Sequence, residues 1–442
     1  MPCPEMKRYA LPLALFGFCT AALMAQESPR DATFRTAIDA LYPKLVETRR
    51  DIHAHPELSN EEERTAALVA ERLRTLGLQV KTGVAKHGVV GLLDSGKPGP
   101  CVAIRADMDA LPIKELRATP YRSQNPGVMH ACGHDVHTTV GLGVAELLAK
   151  HRDQWRGSVK FLFQPAEEGM PPTYKGDWGA KLMIAEGAMD NPRPAAVFGL
   201  HCRPTITRTD GRGEDPHYLR AGQVAYAIGP DSANSDSFVV TIRGVMAHGS
   251  APQRGVDAIV VAAEAITALQ TIRSRQTDTR QPLVLSVGVI QGGQRQNILA
   301  DEVTFGGTVR TYDAAFPDTV LEKMHRTLKG ITEANGATYT MEYRKGYPSV
   351  INHKELTNAT LPSFRRLLGP DNVLEMVPGM GGEDFSYFAQ VVPGFYFRLG
   401  VSNPDKEITG EIHTPAFDVD EACLKTGVAV MAAAACDFLD RN

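Results

Sequence analysis

Side chains that bind metal ions crowd into one short segment, GVMHACGHDVHTT. The segment contains three imidazoles, a thiol and a carboxylate, from His130, Cys132, His134, Asp135 and His137. Thiolate, neutral imidazole and carboxylate are the usual ligands of zinc and similar divalent ions. Because one residue separates Cys132 from His134, both side chains would face the same way on an extended segment. The segment favours a metal site whose other ligands come from elsewhere in the chain.

More residues of the same types stand where strands are predicted to end. FQPAEEG places Glu167 and Glu168 directly after a strand, VFGLH ends a strand on His201, and EIHTP puts His413 before a proline. Neighbouring side chains on extended chain point apart, so one glutamate can bind metal while the other accepts a proton from water. Each residue alone would more often be structural or exposed, but together they predict a metal centre with a general base.

The elements that must position these residues alternate between helix and strand. Amphipathic helices are predicted within residues 33–58 and 60–77, followed by the β-rich runs GVVGLLDS, CVAIRADMD and GSVKFLFQ. A further helix, HTTVGLGVAELLAKH, is predicted to begin at His137. This alternation predicts an α/β domain with a mixed, largely parallel sheet, in which sites gather at the carboxyl ends of strands.

A second unit is predicted inside this α/β domain. Its pattern is β-α-β-β-α-β, a split βαβ sandwich of the ferredoxin-like type, after which helix and strand alternate again and complete the first sheet. The predicted division is a leader at 1–25, the first part of the catalytic domain at 26–230, the inserted domain at 231–346 and the second part of the catalytic domain at 347–442.

The first 25 residues have the order typical of a secretory signal peptide. Lys7 and Arg8 precede the apolar run YALPLALFGFCTAALMA, and the polar QESPRD follows a plausible cleavage point after Ala25. The run is short for a transmembrane helix, although an uncleaved membrane anchor is the alternative. We therefore expect an exported protein, periplasmic or secreted.

Composition narrows the classes of partner. With 43% apolar and 22% charged residues, 442 residues can bury a large core, and a net charge of −4 gives no reason to expect nucleic acid or an anionic membrane surface. A small molecule or a second copy of the chain is the expected partner. The five cysteines after the leader are too few and too scattered for a disulfide framework, and four are expected to be small buried hydrophobes: Cys101, Cys202, Cys423 and Cys436.

Ten ordered motifs closely resemble those of the metal-dependent N-acyl-amino-acid amidohydrolases. This group includes hippurate hydrolase, the auxin-conjugate hydrolases and, more distantly, aminoacylase and carboxypeptidase G. The resemblance covers nearly the whole chain after the leader, far more than a single short pattern could. The motifs are RRDIHAHPELSNEE, RADMDALPI, MHACGHDVHTT, FQPAEEG, GLH, GVDAI, LQTIRSR, GTVRT, GGEDFS and HTPAFDVDE.

The resemblance implies a metallopeptidase-like catalytic domain that holds two divalent metal ions. Manganese or zinc is expected, and cobalt or nickel is also compatible with such ligands. Glu167 would be the general base and acid. The implied ligands are Cys132 as the bridging residue, with His134, Glu168, His201 and His413.

Other acidic and imidazole side chains match no ligand position. Asp107, Asp109 and Asp135 are expected either to orient imidazoles or to cap local structure. The remaining histidines of these motifs are expected to pack around the site or to end a helix: His53, His55, His130 and His137.

The resemblance also gives the inserted domain the roles of lid and dimerisation domain. His248 would reach the active site of the partner subunit in a homodimer and polarise the scissile carbonyl, while Asn297 and Arg310 would hold the substrate. Arg310 suits a bidentate grip on an α-carboxylate. Gln253 stands where many relatives carry histidine, and MPPTYKGDWGAK is longer than the matching loop, so the acyl preference stays open.

These residues predict an exported amidohydrolase that cleaves N-acyl amino acids or small peptides by means of a metal-activated water. One alternative is a dipeptidase or aminopeptidase of the same clan, which needs a carboxylate for the free α-amine, such as Asp177. Another alternative is a catalytically inactive periplasmic binding module. The sequence retains Glu167 and every matched ligand, which argues against this alternative. A structural zinc protein would usually show compact Cys-rich knuckles, which this sequence lacks.

Overall fold

The computed structural model describes residues 28–170, 174–212 and 216–442. The predicted leader, residues 1–25, lies outside these ranges. Within them, no helix combines the length and the apolar character needed to cross a bilayer. The five cysteines of these ranges are all buried and none forms a disulfide.

The described residues form sixteen strands, most of them short. The strands are β1 (Gln79–Val84), β2 (Gly88–Asp94), β3 (Cys101–Asp107), β4 (Ser158–Gln164), β5 (Ala196–Arg203), β6 (Thr205–Ile206), β7 (His217–Tyr218), β8 (Val224–Tyr226), β9 (Gly229–Ser232), β10 (Asp236–Arg243), β11 (Val284–Gly292), β12 (Glu302–Arg310), β13 (Thr338–Arg344), β14 (Val350–Asn352), β15 (Val373–Glu375) and β16 (Gly394–Gly400).

Nine α-helices lie between these strands in the described ranges. They are α1 (Pro29–Ala54), α2 (Glu63–Thr75), α3 (His134–Lys150), α4 (Gly179–Ala185), α5 (Ala258–Arg275), α6 (Phe316–Ala334), α7 (Lys354–Leu368), α8 (Phe385–Val391) and α9 (Cys423–Arg441).

The larger sheet has eight strands in the order β1-β2-β4-β3-β5-β16-β8-β15. The pairs β4-β3, β3-β5, β5-β16 and β8-β15 are parallel, and the other pairs are antiparallel. The predicted mixed, largely parallel sheet is therefore confirmed. Strands β15 and β16 join it from the last part of the chain, so the carboxyl ends of β3, β4, β5 and β16 lie at one edge.

Both faces of the larger sheet are covered, which explains why its central strands are apolar throughout. Val102 and Ile104 of β3 pack into one cluster with residues of α1, α3 and α9. Ala103, on the other face of the strand, packs with residues of α4 and α8. Arg105 continues this second face, so a charged side chain is carried into the interior just before the strand ends.

The smaller sheet has four antiparallel strands in the order β11-β12-β10-β13. Helices α5 and α6 cover one of its faces, and the observed element order is the predicted β-α-β-β-α-β. The side chains of β10 alternate between the two faces of this sheet. Phe238, Val240 and Ile242 point toward α5 and α6 and form a core separate from that of the larger sheet. The opposite face is open, with Val239 42% exposed.

Candidate metal centre and active site

A left-handed turn brings Cys132 and His134 together. Gly133 has φ 90°, and a β carbon there would lie 2.7 Å from the Cβ of Cys202, so both conformation and packing require glycine. Helix α3 begins at His134 rather than at the predicted His137. The expectation of an extended segment was therefore wrong, although the two ligand atoms do converge.

The thiol of Cys132 is shared by two groups of metal-binding atoms. Its Sγ lies 3.2 Å from Nε2 of His201 and 3.2 Å from Nε2 of His413. Cys132, His134 and His201 form one triad with ligand atoms within 4.8 Å of one another, and Cys132, Glu168 and His413 form another. A bridging ligand between two ions would occupy such a shared position.

The spacing and the unsatisfied atoms of these triads fit metal ligands. Bond lengths of about 2.0–2.3 Å in a tetrahedral site place neighbouring ligand atoms about 3.3–3.8 Å apart. Nε2 of His413 lies 3.3 Å from Oε1 of Glu168, and Nε2 of His134 lies 4.0 Å from the same oxygen. His134 Nε2 and Glu168 Oε1 are buried without a hydrogen-bond partner among the described residues, which a bound cation would remedy.

Backbone contacts fix two of the imidazoles. The Nδ1–H of His201 donates to the carbonyl of Cys202 at 2.7 Å, which leaves Nε2 unprotonated toward Cys132. His413 has φ 61°, and its backbone N–H donates to the carbonyl of Ala131 at 2.8 Å. The side chain of His413 is 51% exposed, so it closes the solvent side of the cluster.

The two glutamates do not point apart as extended chain would require. Ala166 lies in the left-handed region at φ 53°, and its N–H donates to Glu62 at 2.8 Å. A carboxylate oxygen of Glu167 lies 3.9 Å from Nε2 of His134, and one of Glu168 lies 4.0 Å from the same atom. Both carboxylates therefore face the cluster, which corrects the sequence expectation.

Asp107 and Asp109 orient imidazoles, one of the two roles expected for them. Asp109 accepts from Nδ1 of His134 at 3.2 Å and from the backbone N–H of Glu168 at 2.9 Å, so it positions two predicted ligands. Asp107 lies 2.5 Å from Nδ1 of His137. His137 in turn accepts from the N–H of Cys202 at 2.8 Å, which uses both of its ring nitrogens.

Asp135 orients His53 rather than a predicted ligand. Its Oδ2 lies 2.9 Å from Nδ1 of His53 and 2.7 Å from Nε of Arg49, and all three side chains are buried. This network ties the end of α1 to the start of α3. His55, two residues further along the chain, is the cap residue after α1, whereas His130 is buried and burial lowers its pKa to about 3.

The centre carries an excess of buried negative charge. Burial disfavours the imidazolium of His134, but Asp107 and Asp109 outweigh this effect and raise its pKa to about 10. Burial, with Glu168 and Glu167 adding to it, raises the pKa of the Cys132 thiol well above its usual range. Divalent cations would relieve both effects, since they favour the thiolate and neutral imidazole.

A buried cluster of charged side chains beneath the centre was not predicted from the sequence. This Arg105 cluster consists of Arg105, Asp107, Gln164, Glu383 and Asp384. The guanidinium of Arg105 lies 2.5 Å from Asp107, 2.9 Å from Glu383 and 3.0 Å from Asp384. Its Nε donates to Gln164 at 2.8 Å. The only signals were RADMD and GGEDFS, whose acidic residues were not expected to share an arginine.

A cavity of about 370 Å³ opens beside the centre, a size suited to a small ligand. Its lining includes four of the five predicted ligands, together with Glu167 and Arg310. Of the residues predicted to contact substrate, His248 and Asn297 do not line this cavity in the described part of one chain. Both are exposed and adjacent on the smaller unit, where Gly249 donates to the Asn297 carbonyl at 2.8 Å.

Comparisons with known proteins agree with this geometry. The chain is 42% identical over 318 residues to an N-acyl-L-amino acid amidohydrolase of Geobacillus stearothermophilus, covering 72% of this chain and 80% of that protein. It is 35% identical over 399 residues to the IAA-amino acid hydrolase ILR1-like 4 of Arabidopsis thaliana, covering 89% and 86%.

A solved structure shares the fold over nearly the whole chain. It is the Bacillus subtilis YxeP protein, a dinuclear metal-binding peptidase from the M20 family, with a TM-score of 0.76 and 31% identity. The match covers 91% of this chain and 99% of that one. The sequence model of peptidase family M20/M25/M40 matches residues 103–437, and the chain therefore belongs to this family.

Proposed function

We propose that the protein hydrolyses the amide bond of N-acyl amino acids or small peptides to a carboxylic acid and a free amino acid. The observation that carries this proposal is the Cys132 thiol shared by two ligand triads, with the carboxylate of Glu167 beside them. Similarity to an N-acyl-L-amino acid amidohydrolase and to an IAA-amino acid hydrolase supports the substrate class. It is a metal-dependent hydrolase. The proposal that the protein is exported rests on the sequence of the leader alone.

The five candidate ligands would hold two divalent ions, with manganese or zinc proposed. Such ions supply Lewis acidity and lower the pKa of water, so that it can attack a carbonyl at neutral pH. Glu167 takes the proton of the attacking water and returns it to the leaving nitrogen. Tyr347 holds Glu167 in place by donating from its hydroxyl to the Glu167 carbonyl at 2.7 Å.

We also propose a homodimer in which His248 of one subunit completes the active site of the other. Nδ1 of His248 accepts from the N–H of Ser250 at 3.1 Å, so in the neutral ring the proton is on Nε2, ready to donate to a carbonyl oxygen. The smaller unit would act as a ferredoxin-like lid and dimerisation domain. Its edge strand β11 exposes Val289 and Ile290, 58% and 54% accessible, and is open to pairing with a second copy.

The peptidase alternative finds little support in the residues around the cavity. Asp177, the sequence candidate for binding a free α-amine, is paired with Lys181 at 2.7 Å. Glu383 lines the cavity, but its carboxylate is bound by Arg105 at 2.9 Å and by Tyr396 at 2.5 Å. A neutral N-acyl nitrogen is therefore the better fit.

Metal-stripped protein should be inactive without added metal and should regain activity when manganese or zinc is added. We expect release of free amino acid from N-acetyl, N-benzoyl or N-indoleacetyl amino acids, measured with and without each metal. Plain dipeptides serve as the comparison substrates. Release from dipeptides alone would favour the peptidase alternative, and no release despite bound metal would favour a binding module.

Mixed dimers test the role of His248. His248→Ala and Glu167→Gln protomers should each be inactive as homodimers, because each lacks one half of the proposed machinery. If the site is shared, a dimer of one protomer of each kind has one intact site and one site with both substitutions. Its turnover should therefore reach up to about half of the wild-type value, measured on mixed dimers purified with two affinity tags. Turnover no higher than that of the parent homodimers would count against the shared site.

A further inference from the structure

Arg203 presents to the active-site cavity a guanidinium that forms no ion pair with any carboxylate of the described residues. It is the last residue of β5, two positions beyond the predicted ligand His201, and it lines the cavity together with Arg310. In the described ranges no hydrogen bond or ion pair within 4 Å joins the Arg203 guanidinium to another residue. Arg203 is partly buried, and buried arginine side chains normally have such a partner.

The acidic groups near Arg203 are already bound to other residues. Asp231 is buried and forms an ion pair with Arg398, which lies on β16 opposite His201. Glu411 accepts from the hydroxyl of Thr205 at 2.5 Å. Arg203 therefore keeps its hydrogen-bond donors for something that enters the cavity.

A side pocket extends the cavity past Arg203. This pocket, of about 200 Å³, shares Arg203, Arg398 and Gly379 with the main cavity and is otherwise lined mainly by uncharged residues. Two arginines thus stand where the two spaces meet. Arg310 lines the main cavity and donates to Thr308 at 2.9 Å, and no carboxylate in the described part of the chain forms an ion pair with it.

We propose that the preferred substrate carries a second carboxylate, in addition to the α-carboxylate proposed to bind Arg310, and that Arg203 binds it. The inference rests on the proposed amidohydrolase function and names its substrate class. A planar guanidinium matches a carboxylate through two parallel hydrogen bonds. The second carboxylate belongs either to an acidic amino acid or to a dicarboxylic acyl group.

Matched substrate pairs that differ only by carboxylate and amide test this assignment. The first pair is N-acetyl-L-glutamate and N-acetyl-L-glutamine, and the second is N-succinyl-L-leucine and N-succinamoyl-L-leucine. Wild-type kcat/KM should favour the carboxylate by about tenfold or more in one pair, as expected for a hydrogen bond to a charged group. The pair that shows the preference tells which side of the amide carries the acid.

Arg203→Met should remove this preference, and Arg203→Lys should keep part of it. The matched control is Arg220→Met, since Arg220 is half-exposed and pairs with Asp405 at the surface, so its removal should leave the preference unchanged. As a measurement that needs no variant, glutarate should inhibit the wild type at least tenfold more strongly than its monoamide.

Three results would overturn the assignment. The first is equal kcat/KM within both pairs, and the second is equal inhibition by glutarate and its monoamide. The third is a folded Arg203→Met variant that loses activity equally on both members of a pair. Cleavage of N-acyl amino acids without a preference for the second carboxylate would contradict this inference alone. Failure to cleave any N-acyl compound would contradict the proposed function as well.

Discussion

Glu167→Gln should lower kcat by about 10²- to 10⁴-fold while the protein keeps its full content of metal. The amide side chain fills the same space but cannot accept a proton from water. The local fold should persist, because Tyr347 donates to the backbone carbonyl of Glu167 and Ala166 is held through its own N–H by Glu62. Steady-state turnover and metal content by mass spectrometry check the two halves of this expectation.

The neighbouring glutamate provides the matched comparison. Glu168 belongs to the triad with Cys132 and His413, so Glu168→Gln should lower metal content as well as turnover. Near-normal turnover of Glu167→Gln would remove Glu167 from the role of general base. Loss of metal from Glu167→Gln, with none from Glu168→Gln, would exchange the assigned roles of the two residues.

Residue type and position along strands predicted much of the centre. Glu167 and Glu168 follow β4 and His201 lies near the end of β5, and these parallel-sheet strands deliver them to one edge. The β-α-β-β-α-β order was also visible in the sequence, because amphipathic alternation on strands such as β10 is a local signal.

Features set by backbone turns or by distant packing were not visible in the sequence. The left-handed Gly133 and Ala166 decide how Cys132, His134 and the glutamates face one another, and a periodicity rule that assumes extended chain cannot show this. The Arg105 cluster joins residues almost 280 positions apart, Arg105 and Glu383, and the contact between Arg105 and the nearby Asp107 gives no local sign of this distant partner. The roles of His248 and Asn297 came from resemblance alone, since one chain does not place them in the cavity.

The Arg105 cluster is where a single substitution should cost the most stability. Arg105→Met would leave three buried carboxylates without their common cation, those of Asp107, Glu383 and Asp384. Removing one partner of a buried ion pair costs about 3–5 kcal/mol. Methionine keeps most of the volume, so the loss should reflect charge rather than a cavity.

Denaturant unfolding of metal-stripped protein would measure this loss. The two tryptophans of the chain, Trp155 and Trp178, report on the unit that contains the larger sheet. Arg220→Met is the control, because Arg220 and its partner Asp405 are 50% and 80% exposed in the same unit and such a pair contributes less than about 1 kcal/mol. Equal unfolding midpoints for the two variants would show that the Arg105 cluster does not hold this unit together.

The pH dependence of the same variant separates lost charge compensation from lost packing. Burial raises the pKa of Asp384 to about 7 even though Arg105 opposes the shift, so removing Arg105 should raise it further. The unfolded carboxyl has a pKa of about 3.9, so between these values the folded state binds the extra proton and the free energy of unfolding rises as pH falls. The stability gap between Arg105→Met and the wild type should therefore narrow from pH 8 to pH 5. A gap independent of pH would assign the loss to packing, because the volume of methionine does not change with protonation.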